Sequence, residues 1–477
     1  MTANGRKTPD STVFVLAPPE LPPDPLAIQT LERIGQSGLL AAPPVALPDL
    51  HVKPRLETPS STATATRDTI VLGLTSPSPN CGMALARTAL TVNDLNPASV
   101  DALFGMLARR LPFGKRPSPA LTMTEMLDVL KRGAAAAVEL YGLDPVTPHY
   151  MDQEGNAVSP EAEIASVQRA IPAALIEIGR WEFGQVGRGN HFLELQVIEE
   201  ICDATVAQAW GLTTGQVVVM FHADSGHLGA FVGRLYAHRR KNSWRGRLYE
   251  WRIKLPFQLT AGRPGRLWQR ITYHLLPRRW TPIPADSEEG QRALLALQAA
   301  ANYAYANRVA VLAALQEGIQ MVWRPHCAPP MLLWDAPHNG VRRELLGPDG
   351  QALWVHRHNA ARIAPPFALP ADSPYRETGQ PVLMPGTERI ASYLCVSGAE
   401  AATSLYSVNH GAGQLAMRMG KPSPDAAATR VYGYDGQPPV ERPHLSADGV
   451  VAVVKALTGA DLARPVARLR PVAVLKG

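Results

Sequence analysis

The sequence predicts an α+β fold, a single large domain in which helices surround mixed and antiparallel sheets. Two observations predict this class. Long helical patterns are mixed with many short, scattered segments rich in β-branched residues, without the regular strand–helix alternation of a parallel sheet. Hydrophobic residues make up 46% of the 477-residue chain, enough to bury a large core, and its 44 prolines indicate many turns.

The N-terminal half contains four segments with a clear local signal. Residues 43–54 are punctuated by proline and are expected to be extended. Residues 68–74 (DTIVLGL) form an apolar run that is typical of a buried strand. Residues 122–141 have a helical pattern. Ser159 and Pro160 indicate a helix start, with serine as the N-cap and proline at the first helical position.

The C-terminal half contains the strongest signals. Residues 216–221 (QVVVMF) are rich in valine and predict a strand. The longest helical pattern covers 287–319. It has two glutamates in its first turn, where their negative charges interact favourably with the helix dipole. Residues 353–356 mark a further strand. We expect Ser446 to cap a short helix that ends at a glycine, and the terminal PVAVLKG to form a buried strand.

Several classes of protein are excluded by composition. No run of about 18 uncharged apolar residues is present, so no membrane span is predicted. Residues 1–11 are polar, lack the apolar core of a secretory signal and are expected to be disordered, which leaves 12–477 as the domain. The four cysteines form no Cys-x-x-Cys pair, which argues against disulfides or structural zinc. We therefore expect a cytoplasmic protein.

Basic residues are concentrated between 238 and 280, in a chain of formal net charge +6. They are interleaved with aromatic residues, among them Trp244, Tyr249, Trp251 and Trp268. This mixture is typical of surfaces that contact nucleic-acid phosphates and stack on bases. A solvated basic surface above packed aromatics explains the same pattern equally well.

One cysteine and four histidines stand where an apolar run gives way to small, flexible residues: Cys81, His191, His222, His338 and His410. A strand holds a side chain rigidly at its end, and a glycine loop lets a ligand approach. A thiolate with imidazoles forms a borderline-soft metal site, suited to zinc, cobalt, iron or manganese. Taken singly, each histidine is more often a hydrogen-bonded core residue, and the cysteine a small buried hydrophobe.

Three further side chains accompany this set. Asn190 and Glu194 flank His191, where they would orient a metal ligand or form hydrogen bonds to a purine base. Lys476 ends the last apolar strand, from which it would reach a buried nucleotide or extend freely into solvent.

These segments, in this order, resemble the RtcB family of RNA-splicing ligases. The similar segments are VALPDLH at 45–51, CGMALARTAL at 81–90, GNHFLE at 189–194, AAANYAYANR at 299–308, HN at 338–339, VHR at 355–357, PG at 385–386, ASY at 391–393, HGAG at 410–413 and the terminal KG. The resemblance covers residues from about 13 to 477. GNHFLE, HGAG and the terminal KG are specific in combination, although each is weak alone.

The resemblance implies a ligase that uses GTP and manganese to join an RNA 3′-phosphate, or 2′,3′-cyclic phosphate, to a 5′-hydroxyl end. It implies a central metal–nucleotide cleft in which His410 is catalytic and carries GMP. The implied metal ligands are Cys81, His191, His222 and His338. The implied nucleotide contacts are Asn190, His191, Glu194, His338, Asn339, Pro385, Gly386, Ser392, His410, Gly411, Ala412, Gly413 and Lys476. A monomer, with an accessory activating protein as an option, is expected.

The sequence departs from the family pattern at three positions that would touch metal or phosphate. Ser78 stands where the family has an aspartate, so one of the two metal sites is expected to be weakened. Gly226 and Gln414 stand where the family has arginines. An alternative function is therefore a nucleotide- or RNA-end-binding protein that has lost full ligation. An unrelated metallohydrolase built on the cysteine–histidine cluster is a third hypothesis.

Overall fold

The computed structural model describes residues 13–53, 56–112, 117–187, 189–237, 244–262, 264–276, 280–323, 327–346, 350–422 and 427–477. The expectation that 1–11 are disordered lies outside these ranges, as do 238–243, 263 and 277–279 of the basic segment. The extent of the domain, 12–477, stays a prediction. Across the described residues the fold is α+β, which confirms the predicted class.

The helices longer than five residues lie around the sheets. They are α1 (Pro25–Gly35), α2 (Pro97–Arg110), α3 (Met123–Arg132), α4 (Ala134–Tyr141), α5 (Ile164–Ala170), α6 (Ala173–Glu182), α7 (Ala204–Ala209), α8 (Gly226–Tyr236), α9 (Trp244–Thr260), then, after the short α10 (Leu267–Arg270), α11 (Glu288–Trp323), α12 (Gly413–Met419) and α13 (Asp448–Gly459). None of these described helices is long and apolar enough to cross a bilayer.

The strands are mostly short and paired antiparallel. They are β1 (Phe14–Val15), β2 (Val45–His51), β3 (Ser60–Thr66), β4 (Thr69–Ile70), β5 (Gly82–Thr91), β6 (Phe192–Ile201), β7 (Gln216–Ala223), β8 (Ile283–Pro284), β9 (Met331–Pro337), β10 (Asn339–Leu346), β11 (Gln351–His358), β12 (Ala360–Arg362), β13 (Pro381–Met384), β14 (Ser392–Ser397), β15 (Ser407–Asn409), β16 (Ala428–Tyr432), β17 (Val440–Pro443) and β18 (Ala463–Lys476).

Two sheets dominate the architecture. The larger has the order β13-β14-β18-β6-β7-β5-β9, all antiparallel, with β16 added in parallel to β18. The smaller has the order β1-β2-β3-β11-β10, with only β1 and β2 parallel. Mixed and antiparallel sheets were predicted, and both are confirmed.

Helix α11 packs along the larger sheet and is the longest element of the core. Its alanine-rich sequence allows α2, α3, α4 and α8 to approach closely. Arg308 of this helix is fully buried and forms a bidentate ion pair with Asp335 of β9, at 2.6 and 2.8 Å. The same guanidinium donates to the carbonyl of Asn80 at 2.8 Å. Arg308 thus ties α11 to the end of the sheet where the candidate site lies.

Most of the strong local predictions are confirmed, and four are wrong in detail. The 122–141 pattern is two helices, because Gly133 takes φ +58° and an added Cβ there would meet the carbonyl of Gly155. Ser159 and Pro160 form a turn, and α5 begins only at Ile164. Of 68–74, two residues are strand and three a 3-10 turn. Helix α13 ends as predicted, but its N-cap is the residue after Ser446.

Candidate metal centre and nucleotide cleft

The central strands of the larger sheet bring the predicted metal ligands to one end. Cys81 immediately precedes β5, His222 is the penultimate residue of β7, and His338 immediately follows β9. Strand β5 lies between β7 and β9, with Gly82 opposite both Ala223 and Pro337. His191 joins them because it precedes β6, whose first residue is opposite His222. Four residues far apart in sequence therefore converge through strand pairing.

The thiol of Cys81 lies at the centre of this cluster. Its Sγ is 3.1 Å from Nε2 of His222 and 3.3 Å from Nε2 of His191. Two groups share it: Cys81 with His222 and His338, and Cys81 with His191 and Asp224. In each group the ligand atoms lie within 4.8 Å of one another. This spacing would allow each group to hold a metal ion, and Cys81 belongs to both groups.

The imidazole of His222 is oriented for metal binding. Its Nδ1 lies 3.1 Å from the carbonyl oxygen of Asn190 and is placed to donate to it. That contact fixes the tautomer that leaves Nε2 free to face the cluster, as in many protein metal sites. The donor set of thiolate, imidazole and carboxylate fits a divalent transition metal, and ligand type alone does not select manganese.

Burial sets the protonation states of the cluster. Burial, and then the nearby Asp224, raise the pKa of the Cys81 thiol. Burial lowers the pKa of both His222 and His338. The imidazoles are therefore neutral and ready to donate electron pairs, whereas the thiol becomes a ligand only when a cation displaces its proton.

Asp224 is a residue of this site whose role as a ligand the sequence analysis missed. It follows β7, its Oδ2 is 3.7 Å from Nε2 of His191, and Ser78 donates a hydrogen bond to the same oxygen at 3.2 Å. The family pattern has a carboxylate at position 78, where this chain has a serine. The structure brings one to that place from the loop after His222.

His410 lies between the metal-ligand cluster and an adjoining cavity. It follows β15, which pairs with β12, and its ring centroid is 4.5 Å from that of His338. Burial, and then the charge of Lys53, lower the pKa of His410 to about 3, while the Asn359 carbonyl opposes the shift. The imidazole is therefore neutral, and nucleophilic, across the physiological range.

The adjoining cavity has a volume of about 390 Å³ and is lined by both polar and apolar groups. Gln196 lies behind its wall and donates to Glu194 at 2.6 Å and to Ser392 at 3.1 Å, while Ser392 accepts from the amide of Gly386 at 3.0 Å. Burial raises the pKa of Glu194 to about 8. Lys476 reaches the same space.

Most of the predicted nucleotide contacts line this cavity. Those that do are Asn190, Glu194, Pro385, Gly386, Ser392, His410, Gly411, Gly413 and Lys476. Ala412 is buried in the turn behind them, and His191 and His338 face the thiol. Asn339 lies farther away: its side chain accepts a hydrogen bond from the amide of Asn359 at 2.8 Å, and the residue lines a different cavity.

Lys53 and Glu388 are charged neighbours that the sequence analysis did not select. Lys53 interacts electrostatically with the thiol of Cys81, with Asp49 and with His410, and burial lowers its pKa. Glu388 lies 3.6 Å from the ammonium of Lys476. The only sequence signal for Lys53 was its place two residues after the LPDLH segment.

Fold and site together define an α+β protein with a cysteine–histidine metal-ligand cluster beside a cleft that holds a neutral histidine. The family model described as tRNA-splicing ligase RtcB matches residues 37–477, and the chain belongs to the RtcB family.

Relatives that carry the name tRNA-splicing ligase RtcB are about one third identical to this chain. The Pyrococcus abyssi protein is 33% identical over 424 residues, 83% of this chain and 42% of the relative. The Pyrococcus furiosus protein is 33% identical over 425 residues, 83% of this chain and 40% of the relative. That of Thermococcus kodakarensis is 32% identical over 427 residues, 83% of this chain and 80% of the relative. The chain thus spans less than half the length of the two Pyrococcus relatives.

Proposed function

We propose that this chain is a GTP- and manganese-dependent RNA ligase that joins 3′-phosphate, or 2′,3′-cyclic phosphate, ends to 5′-hydroxyl ends, with GMP carried on His410. The observation that carries the proposal is the position of His410, whose ring lies beside the ligand His338 and lines the cavity that contains Glu194 and Lys476. A nucleophile at this junction reaches a phosphate held by the metal cluster and a base held in the cavity.

His410 would accept GMP from GTP and pass it to the RNA. A neutral ring nitrogen attacks the α-phosphorus of GTP, a P–N bond forms, and pyrophosphate leaves. The 3′-phosphate of the RNA then attacks the same phosphorus, so that the P–N bond breaks and a phosphoanhydride forms. The 5′-hydroxyl attacks the RNA 3′-phosphate and releases GMP. A cyclic phosphate is first opened by water.

Manganese bound by the two ligand groups would neutralise phosphate charge and fix the reacting atoms. Cys81, His222 and His338 would hold one ion, and Cys81, His191 and Asp224 the other. Asp224 would supply the carboxylate that Ser78 lacks. Both sites would then hold an ion tightly, in contrast to the weakened second site that the sequence predicts. The carboxylate adds an anionic oxygen ligand, which manganese favours.

The loop after His410 is shaped for close approach of a phosphate. A Cβ on Gly411 would lie 2.9 Å from the ring of Pro385, and Gly413 has φ +30° with a Cβ position 3.2 Å from Asp49. Glycine at these positions lets the loop pack closely against Pro385 and Asp49, and the loop would present its backbone amides to a phosphate in the cavity. Lys476 and Glu194 would then contact the guanine end.

An exposed aromatic and basic surface supports an RNA substrate. Trp244 is 66% exposed and Trp268 is 74% exposed, so these aromatics are not packed beneath a basic shell. The guanidinium of Arg245 lies 5.3 Å from the centroid of Trp244. Such pairs stack on unpaired bases while contacting phosphates. The side chain of Tyr249 lies outside the described residues.

The second candidate function is nucleotide or RNA-end binding without ligation, favoured by Gly226 and Gln414 at positions where arginines would grip phosphate. A ligation assay separates the two. Purified protein, GTP and manganese are incubated with one RNA ending in 3′-phosphate and another beginning with 5′-hydroxyl. We expect a joined product, absent with His410→Ala. A His410 adduct without joined RNA would favour the second candidate. The monomeric state, the cytoplasmic location and the activating partner stay predictions.

A further inference from the structure

A second cavity, of about 260 Å³, lies on the other side of the loops that carry two metal ligands. Asn80 and Asn339 line it, and they directly precede Cys81 and follow His338, respectively. The amide of Asn80 donates to the carbonyl of Asn339 at 3.0 Å, so the two loops form one shared wall. An occupant of this cavity would lie one loop away from the reacting phosphate.

The cavity has an excess of positive charge. Arg342 donates to Asp152 at 2.9 Å, and Arg362 and Arg357 donate to Glu344 at 3.1 and 2.9 Å. Three arginines thus face two carboxylates, which leaves one positive charge in a half-buried to buried setting. A cation excess away from bulk water attracts an oxyanion strongly.

Arg343 adds a second positive charge at the mouth. It is exposed, lines the cavity, and forms no ion pair among the residues that the structure describes. Arg357, by contrast, is committed to Glu344, Ser407 and two backbone carbonyls. The groups available to a ligand are therefore Arg343 and the remaining donors of Arg342 and Arg362.

An aromatic side chain and two amides complete the lining. Trp354 of β11 is opposite Arg343 of β10 in the strand register and is half-buried. Gln153 and Gln298 also line the cavity. An aromatic face, amide groups and unpaired guanidinium donors together match a nucleotide of a single strand better than a bare phosphate.

We propose that this cavity is a subsite for a phosphate-bearing nucleotide of the RNA strand, next to the nucleotide whose end reacts. The assignment of the strand as an end-joining substrate rests on the proposed function. The chemistry of the cavity requires only a phosphate oxyanion beside a planar base.

The decisive experiment measures binding of a fluorescent single-stranded RNA with a 3′-phosphate, by anisotropy, in the absence of GTP. We expect Arg343→Glu and Arg342→Gln to weaken RNA binding about tenfold or more. The slope of the logarithm of the binding constant against the logarithm of the salt concentration should become less steep by about 0.7 for each phosphate contact that is lost. Arg109→Glu, an exposed residue on α2 that lines neither cavity, has the same charge change as Arg343→Glu. The affinity of Arg109→Glu for the RNA should stay within twofold of that of the unaltered protein.

Equal affinities for Arg343→Glu and Arg109→Glu would overturn the proposal. The exposed Arg343 keeps this test decisive even if Arg342→Gln fails to fold because Asp152 loses its partner. Calorimetry with inorganic phosphate distinguishes a free anion from an RNA strand. Micromolar phosphate binding that Arg342→Gln abolishes, with RNA affinity unchanged, would assign the cavity to a free oxyanion instead.

Adduct formation with labelled GTP is measured on the same variants, because it requires no RNA. A normal adduct with weakened RNA binding in Arg343→Glu supports the subsite. Absence of an adduct in the unaltered protein would refute the proposed function, while the RNA affinities would still decide the cavity.

Discussion

Ser78 donates a hydrogen bond through its Oγ to the Oδ2 of Asp224, at 3.2 Å. The two residues are 146 positions apart, and each lies in a loop close to a predicted metal ligand, Ser78 before Cys81 and Asp224 after His222. The carboxylate of Asp224 therefore lies next to His191 and Cys81, where Ser78 itself supplies only a hydroxyl. The second ligand group therefore has an anionic member despite Ser78.

Asp224→Asn should reduce the tightly bound manganese from two ions per chain to one, because a neutral amide oxygen attracts a divalent cation less strongly than a carboxylate does. The asparagine retains the oxygen that accepts from the amide of Gly226 at 2.8 Å, so the loop should keep its shape. Elemental analysis after gel filtration measures the stoichiometry. Asp128→Asn on α3 is the control and should retain two ions. Two ions in Asp224→Asn would contradict this assignment.

Cys81→Ser should remove both tightly bound ions, because the thiol belongs to both ligand groups. A serine hydroxyl is a poor neutral ligand for the same metals. The matched control is Cys202→Ser, at an exposed cysteine outside the ligand groups found among the described residues. Manganese titration by calorimetry measures the effect. Retention of one ion at unchanged affinity would show that the thiol is not shared.

Lys476→Met should weaken GTP binding about tenfold or more while leaving the manganese content unchanged. The ammonium lines the cavity beside His410 and lies near Glu388, so its loss removes a cation from the proposed guanine end. Lys455→Met, at an exposed position on α13, serves as the control. Calorimetric titration with GTP gives both affinities, and equal values for the two variants would place the base elsewhere.

Glu344 should make stability depend on pH. Burial alone would raise its pKa, but Arg362, Arg357 and Arg342 lower it from 4.5 to about 2. Because the folded-state pKa is depressed, this stabilisation is complete above about pH 4.5 and is lost as the pH falls toward 2. The shift corresponds to about 3 kcal/mol.

Urea denaturation of the unaltered protein and of Glu344→Gln between pH 7 and 3 tests this expectation. The variant should be less stable at pH 7, and the difference in free energy of unfolding should shrink as the pH falls. A difference that is independent of pH would show that Glu344 is not held as an ion by its arginines.

The sequence predicted elements whose signal is local. Helix α11 and strand β7 were predicted because their periodicity and composition are strong enough to act without tertiary context. The break at Gly133 was missed because a single glycine in a helical pattern does not reveal its φ. The close approach of Gly155, which forbids a side chain at that position, exists only in the folded chain.

The candidate site was predicted by residue type and not by geometry. Cys81, His191, His222 and His338 were selected from their places at the ends of apolar runs, and the structure brings all four together. Asp224 was not selected as a ligand, because its proximity to Cys81 depends on the pairing of β5 with β7. Its only local signal was its position two residues after His222.

Covalent labelling of His410 tests the proposed function most directly. The purified protein is incubated with α-labelled GTP and manganese, denatured, and analysed for label bound to the chain, with peptide mass analysis to locate it. We expect one GMP on His410, stable to denaturation, absent in His410→Ala and present in His227→Ala, a control at an exposed histidine. No adduct with manganese, or an adduct that persists in His410→Ala, would contradict the proposal that His410 carries GMP.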